Sequence, residues 1–307
     1  MTDPFTTYRR YLTERYGAPL YRVPIDLGFG CPNRNPDGTG GCAFCPADGG
    51  RAEYTAGAET IEEQIERGIA FARRRYGADR FLAYVQAFSG TFAPASVQRE
   101  RYARILAAWP FRALSVGTRP DCLPPETLSF LDELRGTLDV GVELGVQTTH
   151  DATLEAVNRG HTWATSRAAV EKLAARGITV AAHVILGLPG ETREHFRATA
   201  LRLSELPVEA VKIHNLHVVR GTALAAAFAR DPFPVYDEDA YAEILIDFLR
   251  HLRPSIAIMR IATDTRPDRL VAPRWTLSKG AFRQRILHAM TAAGHRQGDA
   301  FTASRTA

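Results

Sequence analysis

The chain has 307 residues, of which 45% are hydrophobic, and its 38 basic and 34 acidic residues give a net charge of +4. This length fits a single α/β barrel with one sizeable core, and four cysteines exclude a disulfide-rich secreted scaffold. No apolar run is long enough to span a membrane and the first residues lack the apolar region of a signal peptide, so we expect a cytoplasmic protein without disulfides.

Strand-like apolar runs alternate with helical patterns along most of the chain. The predicted strands cover residues 21–27, 81–87, 113–117, 140–146, 178–186, 211–216 and 255–261. The predicted helices cover residues 5–16, 60–76, 95–109, 124–135, 151–158, 165–176, 191–206, 241–252 and 280–293. Such alternation indicates a mostly parallel sheet covered by helices.

Six strand–helix units end near residue 230, where a polar, proline-containing stretch follows. The predicted fold is therefore α/β, a partial (β/α)6 TIM-like barrel of parallel strands with a small C-terminal α/β extension. We assign residues 1–230 to the barrel and residues 231–307 to an extension packed on it. Residues 297–307 are expected to fray.

One short loop carries Cys31, Cys42 and Cys45, with the spacing C-x10-C-x2-C. Three thiolates without a nearby fourth ligand suit a [4Fe-4S] cluster with one open iron, whereas a structural zinc site normally has four Cys or His ligands. No histidine precedes His150, and Cys122 lies far along the chain. A zinc site and three incidental buried thiols remain as alternatives.

The motifs beyond this loop resemble the radical S-adenosylmethionine (SAM) superfamily, specifically its YhcC-like family, which is related to the radical domain of the Elongator catalytic subunit. The matching segments are Gly-Phe-Gly-Cys-Pro-Asn-Arg (28–34), Gly-Gly-Cys-Ala-Phe-Cys (40–45), Gln-Ala-Phe-Ser-Gly-Thr-Phe-Ala-Pro (86–94), Thr-Arg-Pro-Asp-Cys-Leu (118–123), Glu-Leu-Gly-Val-Gln (143–147), Asn-Arg-Gly-His (158–161), His-Val-Ile-Leu-Gly-Leu-Pro-Gly-Glu (183–191) and Lys-Ile-His-Asn-Leu-His (212–217). Together they extend over nearly the whole chain.

The resemblance implies that Cys31, Cys42 and Cys45 hold three irons of one [4Fe-4S] cluster, while SAM binds the fourth. It further implies that an electron from an external one-electron reductant cleaves SAM, and that the resulting 5′-deoxyadenosyl radical takes a hydrogen atom from a substrate. The substrate is unidentified, with tRNA or a small molecule as candidates. Such chemistry belongs to the cofactors, and the protein positions them.

Side chains alternate between faces along the strand at residues 140–147, where valines and a leucine share one face. Gly141, Glu143, Gly145 and Gln147 share the other face, which we expect to look into the barrel. The resemblance places Glu143 and Gln147 near the ribose or methionine of SAM. The alternative for Glu143 is an internal salt bridge, to Arg119 or Arg260 for instance.

Other candidate SAM contacts follow from the same resemblance. Gln86 and Ser89 would recognise the SAM amine, with Phe88 on the same face as Gln86. Thr118 and Arg119 would contact SAM or substrate. The segment from His183 through Leu186 to Glu191 would lie along the adenine, as would Phe44, for which the alternative is an ordinary core aromatic residue.

Three features of the sequence each allow two interpretations. Cys122 is either a catalytic thiol that reaches the substrate or a small buried apolar residue. His214 and His217 either face the substrate or are structural, and the turn at residues 158–161 either caps a helix or lines the site. For the whole chain, the alternative to a radical SAM enzyme is a noncatalytic iron–sulfur or zinc-binding regulatory protein on a barrel scaffold.

Overall fold

The computed structural model describes residues 3–51, 55 and 57–302 of the chain. Its strands are β1 Tyr21–Ile25, β2 Phe81–Val85, β3 Ala113–Thr118, β4 Asp139–Gln147, β5 Thr179–Leu186, β6 Ala210–Asn215, β7 Val218–Val219, β8 Ala257–Arg260 and β9 Leu270–Ala272. Seven of them form one parallel sheet in the order β1-β2-β3-β4-β5-β6-β8, which curls into a half-barrel. Strands β7 and β9 form a separate antiparallel ribbon.

The helices of the described chain are α1 Tyr8–Tyr16, α2 Ile61–Tyr76, α3 Ala95–Ala108, α4 Pro125–Arg135, α5 Asp151–Ala156, α6 Trp163–Ala174, α7 Arg193–Ser204, α8 Ala223–Arg230, α9 Glu238–His251 and α10 Lys279–Ala292. Local sequence explains their ends, as α2 illustrates. The side chain of Thr60 accepts a hydrogen bond from the Glu63 amide at 3.1 Å, and Gly77 follows the last turn with a φ of 62°. Both are standard helix-capping arrangements.

The predicted partial α/β barrel of parallel strands is confirmed, but several elements differ from the prediction. The strand predicted at residues 255–261 joins the same sheet as a seventh strand, because Ala257 and Ile258 pair with Ala210 and Val211 of β6. Helix α7 begins two residues later than predicted, since Thr192 is its N-cap. The alanine-rich helix α8, capped by the Thr222 side chain, was not predicted.

The two faces of the sheet differ in polarity, as the alternation along β4 predicted. Val140, Val142, Leu144 and Val146 are buried in the large core between the sheet and the outer helices. Glu143 points instead into the half-barrel, where it lines a cavity. The large apolar core therefore lies outside the half-barrel, and polar side chains such as Glu143 line the cavity inside the half-barrel.

Helix α1 occupies the interior at the amino end of the strands. Leu12 is buried against Leu82 and Ala113, and Tyr8 and Tyr11 pack against a second small cluster of alanines from β5, β6 and β8. The segment before α1 also pairs with the sheet edge, where the Ile258 amide donates to the Thr6 carbonyl at 2.7 Å. This end of the half-barrel is therefore filled, and the polar cavity lies beyond it.

The expectation that residues 297–307 fray is wrong for the described part, and residues 303–307 lie outside it. Gln297 is buried, and its side-chain oxygen accepts from the Thr6 amide at 3.0 Å. Its side-chain nitrogen donates to the carbonyls of Arg253 and Ile256, both at 2.8 Å. Gln297 thus joins the amino-terminal segment to the loop before β8.

No described helix is long and apolar enough to cross a bilayer. All four cysteines are free thiols.

The Gln297→Ala variant is expected to lose about 1–3 kcal/mol of unfolding free energy, because three backbone groups, one of them in a buried hydrogen bond and two in partly buried ones, lose their partner. Urea unfolding followed by circular dichroism measures the difference. The matched control is Gln284→Ala, an exposed position on α10, which should change stability by less than about 0.5 kcal/mol. Equal stability of the two variants would show that Gln297 does not hold the two segments together.

Candidate functional site

The loop after β1 brings Cys31, Cys42 and Cys45 to the wall of one cavity of about 430 Å³. Cys42 is buried, and the other two thiols are partly exposed. Arg34 holds the loop together, since its guanidinium donates to the carbonyl of Cys45 at 3.0 Å. Gly41 makes room for this side chain: its φ is 92°, and a Cβ there would lie 3.2 Å from the Arg34 guanidinium carbon.

Two guanidinium groups and an amide surround the sulfur of Cys42. Arg159 Nη1 lies 3.3 Å from Cys42 Sγ, Asn33 Nδ2 lies 3.6 Å from it, and Arg119 Nη1 lies 4.0 Å from it. A cysteine sulfur bound to iron is a thiolate, and these cationic and amide donors complement its negative charge. The surroundings of Cys42 therefore suit a metal-bound sulfur.

The turn at residues 158–161 packs on the cysteine loop, which supports its interpretation as part of the site. The Asn158 side chain donates to the Gly41 carbonyl at 2.9 Å, and Asn33 donates to the Asn158 carbonyl at 2.5 Å. Arg159 also donates to the Gly145 carbonyl at 2.6 Å, so it links the loop to β4. The sequence motif flagged this turn, but the contact between Arg159 and Cys42 required the structure.

Eight of the predicted SAM-contacting residues line the same cavity as the cysteines. They are Phe44, Gln86, Phe88, Thr118, Arg119, Glu143, Gln147 and His183. They come from the loop after β1, from β4 and β5, and from the carboxyl ends of β2 and β3, the end of a parallel barrel where active sites are built.

Three predicted residues do not line this cavity. Ser89 is fully buried, and its hydroxyl lies 2.7 Å from that of Thr118, so it supports a lining residue. Leu186 packs in the core outside the half-barrel. Cys122 is buried behind the lining, and burial raises the pKa of its thiol to about 11, so the thiol is protonated at neutral pH. The cavity gives no support to a catalytic role for Cys122.

The non-glycine residues with left-handed backbone all lie at this end of the described chain. They are Ala87, Phe88, Gln147 and Asn158, with φ values of 77°, 51°, 71° and 52°. The first three line the cavity. Such conformations cost free energy and persist where surrounding structure enforces them, often at functional sites. The strain therefore marks the same residues that the motifs identified.

Glu143 is the centre of a charged layer across the interior. Its carboxylate lies 2.7 Å from Arg22 Nη2, 2.7 Å from His183 Nε2 and 3.5 Å from Lys212 Nζ, and it accepts from Ser115 Oγ at 2.6 Å. Burial favours the protonated acid, but Arg22, Lys212 and the hydrogen bond with His183 hold the pKa of Glu143 well below its usual value.

The internal salt bridge considered for Glu143 exists, but its partners differ from the predicted Arg119 or Arg260. Arg22 is stacked between the rings of Tyr8 and Tyr84, at 5.3 and 4.5 Å from their centroids. Lys212 donates to the Tyr84 hydroxyl at 3.0 Å. Burial lowers the pKa of Lys212 to about 7, although Glu143 opposes this shift.

Both candidate histidines of β6 and its following loop line the cavity, and both are fixed in place. His214 Nδ1 lies 2.9 Å from the Thr263 hydroxyl, and His217 Nδ1 lies 2.8 Å from the Thr265 hydroxyl. Burial lowers the pKa of His217 to about 4 and that of His214 in the same direction. They therefore present neutral imidazoles to the cavity at neutral pH.

The sequence predicted Glu191 as the first residue of a helix, but the structure places it just before helix α7. The Thr148 hydroxyl donates to its carboxyl group at 2.5 Å, and the residue is buried between β4 and α7. Burial raises the pKa of Glu191 from 4.5 to about 7. The acid is therefore held here in a site that prefers its neutral form.

Replacing Glu143 with Gln should lower the unfolding free energy by about 3 kcal/mol or more, because buried cations lose their counter-charge. Chemical denaturation at neutral pH measures this loss. Glu155→Gln, an exposed position on α5, is the control and should be nearly neutral. An unchanged unfolding free energy in Glu143→Gln would mean that water, rather than the carboxylate, compensates these cations.

Glu191→Gln should become more stable than the parent protein as pH rises. The folded-state pKa of Glu191 is raised to about 7, above its unfolded value of 4.5. The stabilisation that Glu191 provides is fully present below pH 4.5 and is lost as the pH rises through 7. The gain at pH about 8 over that at pH about 4.5 should approach 3 kcal/mol. Denaturation across this range measures it, and a gain that does not vary with pH would contradict the assignment.

Comparison with known proteins gives the same identification as the motifs. A family model described as the Radical SAM superfamily matches residues 25–203, and a Radical_SAM C-terminal domain model matches residues 208–292. "Uncharacterized protein MJ0486" of Methanocaldococcus jannaschii is 35% identical over 97% of this chain and 92% of its own. "Protein YhcC" of Escherichia coli K12 is 36% identical over 86% of this chain and 85% of its own.

Among solved structures, the archaeal Methanocaldococcus infernus Elp3 with an N-terminal deletion has the same fold, with a TM-score of 0.72 and 18% identity. The match covers 91% of this chain and 64% of the Elp3 chain. The resemblance drawn from the motifs is thereby confirmed. The chain belongs to the radical SAM superfamily and its YhcC-like family, and the superfamily uses a [4Fe-4S] cluster, held by three cysteines, together with SAM.

Proposed function

We propose that this protein is a radical SAM enzyme in which Cys31, Cys42 and Cys45 hold the cluster and the central cavity binds SAM. The observation that carries the proposal is that the three thiols and eight motif residues share one cavity wall. When bound and reduced, the cluster and SAM supply methionine and a 5′-deoxyadenosyl radical that takes hydrogen from a substrate. The protein supplies the ligands, their positions and a site shielded from water.

The residues present fit such a cluster. Arg159 and Arg119 place positive charge beside the Cys42 sulfur, and Arg34 fixes the backbone at Cys45. In the described residues, no three His, Cys, Asp or Glu side chains are arranged around a single ion position. Three cysteines on one loop without a fourth Cys or His beside them in the sequence favour the cluster over the zinc alternative, since a structural zinc site normally has four ligands.

The cavity has an apolar and a polar side, which suits the two ends of SAM. Phe44 packs with Ile185 and Leu216 on the apolar side, where a flat adenine would fit. Gln86, Thr118 and Gln147 supply hydrogen-bonding groups on the polar side. We infer that the ribose and methionine of SAM lie there, near the cysteines.

The substrate is not fixed by this assignment. The candidates from the sequence, tRNA and a small molecule, stay predictions, as does the external reductant. The noncatalytic alternative differs in one measurable respect, since it binds metal without cleaving SAM.

The test is anaerobic reconstitution with iron and sulfide, followed by dithionite and SAM, with iron and 5′-deoxyadenosine quantified. The parent protein should hold about four irons per chain and release 5′-deoxyadenosine. The triple variant Cys31→Ala, Cys42→Ala, Cys45→Ala should lose both while keeping its circular dichroism spectrum, because the strands do not depend on the loop. Cys122→Ala is the control and should keep its iron.

Three outcomes would contradict the proposal. Iron without SAM cleavage, even when cell extract is added as a source of substrate, would favour the noncatalytic protein. Global unfolding of the triple variant would make the loop a structural element, and iron bound by that variant would place the cluster elsewhere.

A further inference from the structure

The charged layer around Glu143 contains more positive than negative charge. Arg22 and Arg260 are two guanidinium charges that interact with this one carboxylate, and Lys212, whose pKa burial lowers to about 7, is positively charged in only part of the molecules at neutral pH. His183 adds no charge at neutral pH, since burial lowers its pKa to about 4. Asp264 lines the same cavity and also interacts electrostatically with Arg260, but it is mostly exposed and pairs with Lys279 at 2.8 Å. Glu143 alone therefore does not balance the positive charge of this layer, which can accept one more anion.

Arg260 is the cation of this layer that has no partner. Arg22 and Lys212 contact Glu143 at 2.7 and 3.5 Å, whereas no described residue forms a hydrogen bond or a close ion pair with the Arg260 guanidinium. Burial and the neighbouring Arg22 lower the pKa of Arg260, although Tyr84 and Glu143 oppose this. A partly buried guanidinium without a partner is costly, and its planar fork matches the oxyanion of a phosphate or carboxylate.

Arg260 also lies where two cavities meet. It lines the central cavity and a lateral cavity of about 670 Å³ between β1 and β8, the two edges of the open half-barrel. No cysteine lines the lateral cavity, whose outer wall includes Phe71 and Tyr76, with 41% and 55% of their surface exposed. A molecule too large for the central cavity could thus reach Arg260 through the open side.

We propose that Arg260 binds an oxyanion of the substrate, a phosphate or a carboxylate, at the junction of the central and lateral cavities. This inference rests on the proposed function, because it assigns a substrate group to the same cavity. SAM also carries a carboxylate, and Arg119 Nη1 lies beside Cys42 in the same cavity, although Asp121 binds the other two nitrogens of Arg119 at 2.9 and 2.7 Å. Arg260 is the cation that faces the side opening as well.

The experiment is calorimetric titration of the cluster-loaded, unreduced protein with inorganic phosphate and, separately, with succinate at constant ionic strength. Each titration is run with and without saturating SAM, so no turnover is needed. The Arg260→Gln variant should bind the preferred anion at least about tenfold more weakly, the effect of one lost charged hydrogen bond. Arg260→Lys should restore part of the affinity, and Arg230→Gln, an exposed position, should leave it unchanged.

Saturable phosphate binding with SAM present, lost in Arg260→Gln, supports a phosphorylated substrate, and the same pattern with succinate supports a carboxylate. Binding of neither anion, or binding equal in Arg260→Gln, overturns the proposal. Anion binding that disappears with SAM, together with weaker SAM binding by Arg260→Gln, would assign Arg260 to SAM and also overturns it. Because titration does not require SAM cleavage, the site can stand even where 5′-deoxyadenosine formation fails.

Discussion

The interior of the half-barrel depends on the carboxylate of Glu143. One buried anion contacts Arg22 from β1, Ser115 from β3, His183 from β5 and Lys212 from β6. The sheet ends at β1 and β8, which do not pair with each other in the described chain, so no ladder of backbone hydrogen bonds closes the barrel. The ionic centre instead connects strands across the opening. Such groups are expensive to bury, and their role is better understood as fixing one arrangement than as adding stability.

This centre also separates the parts of the molecule that provide stability from those that provide chemistry. The large core lies between the sheet and its helices, and α1 fills the interior at the amino end of the strands. Neither region contains a cysteine of the loop. The carboxyl end can therefore carry left-handed residues such as Phe88 and Gln147, because the folding free energy comes from elsewhere.

Alternation predicted the inward face of β4 correctly. It placed Glu143 and Gln147 in the cavity, and the same rule puts Leu186 on the face opposite to His183, where the structure has it. It would also have identified Arg22, since Val23 and Ile25 face the outer core. The resemblance alone, without the strand period, is what led to Leu186.

Other features of the site depend on contacts that no local pattern contains. Cys122 follows a strand, and the direction of a loop side chain is not set by strand periodicity. Arg159 meets Cys42 across 117 positions in the chain, and Lys212 meets Tyr84 across 128. These pairs form only when the sheet curls. The motifs therefore identified the residues but not the contacts between them.

The distribution of cations then follows from where each negative charge lies. Arg159 and Arg119 stand beside the Cys42 sulfur, where thiolates are expected. Arg22 and Lys212 both contact Glu143 in the charged layer. Arg260 is close enough to be repelled by Arg22 but has no anion in contact. The other charged groups inside the half-barrel have partners within the described chain. Arg260 has none there, so we expect its counter-ion to come from a bound molecule.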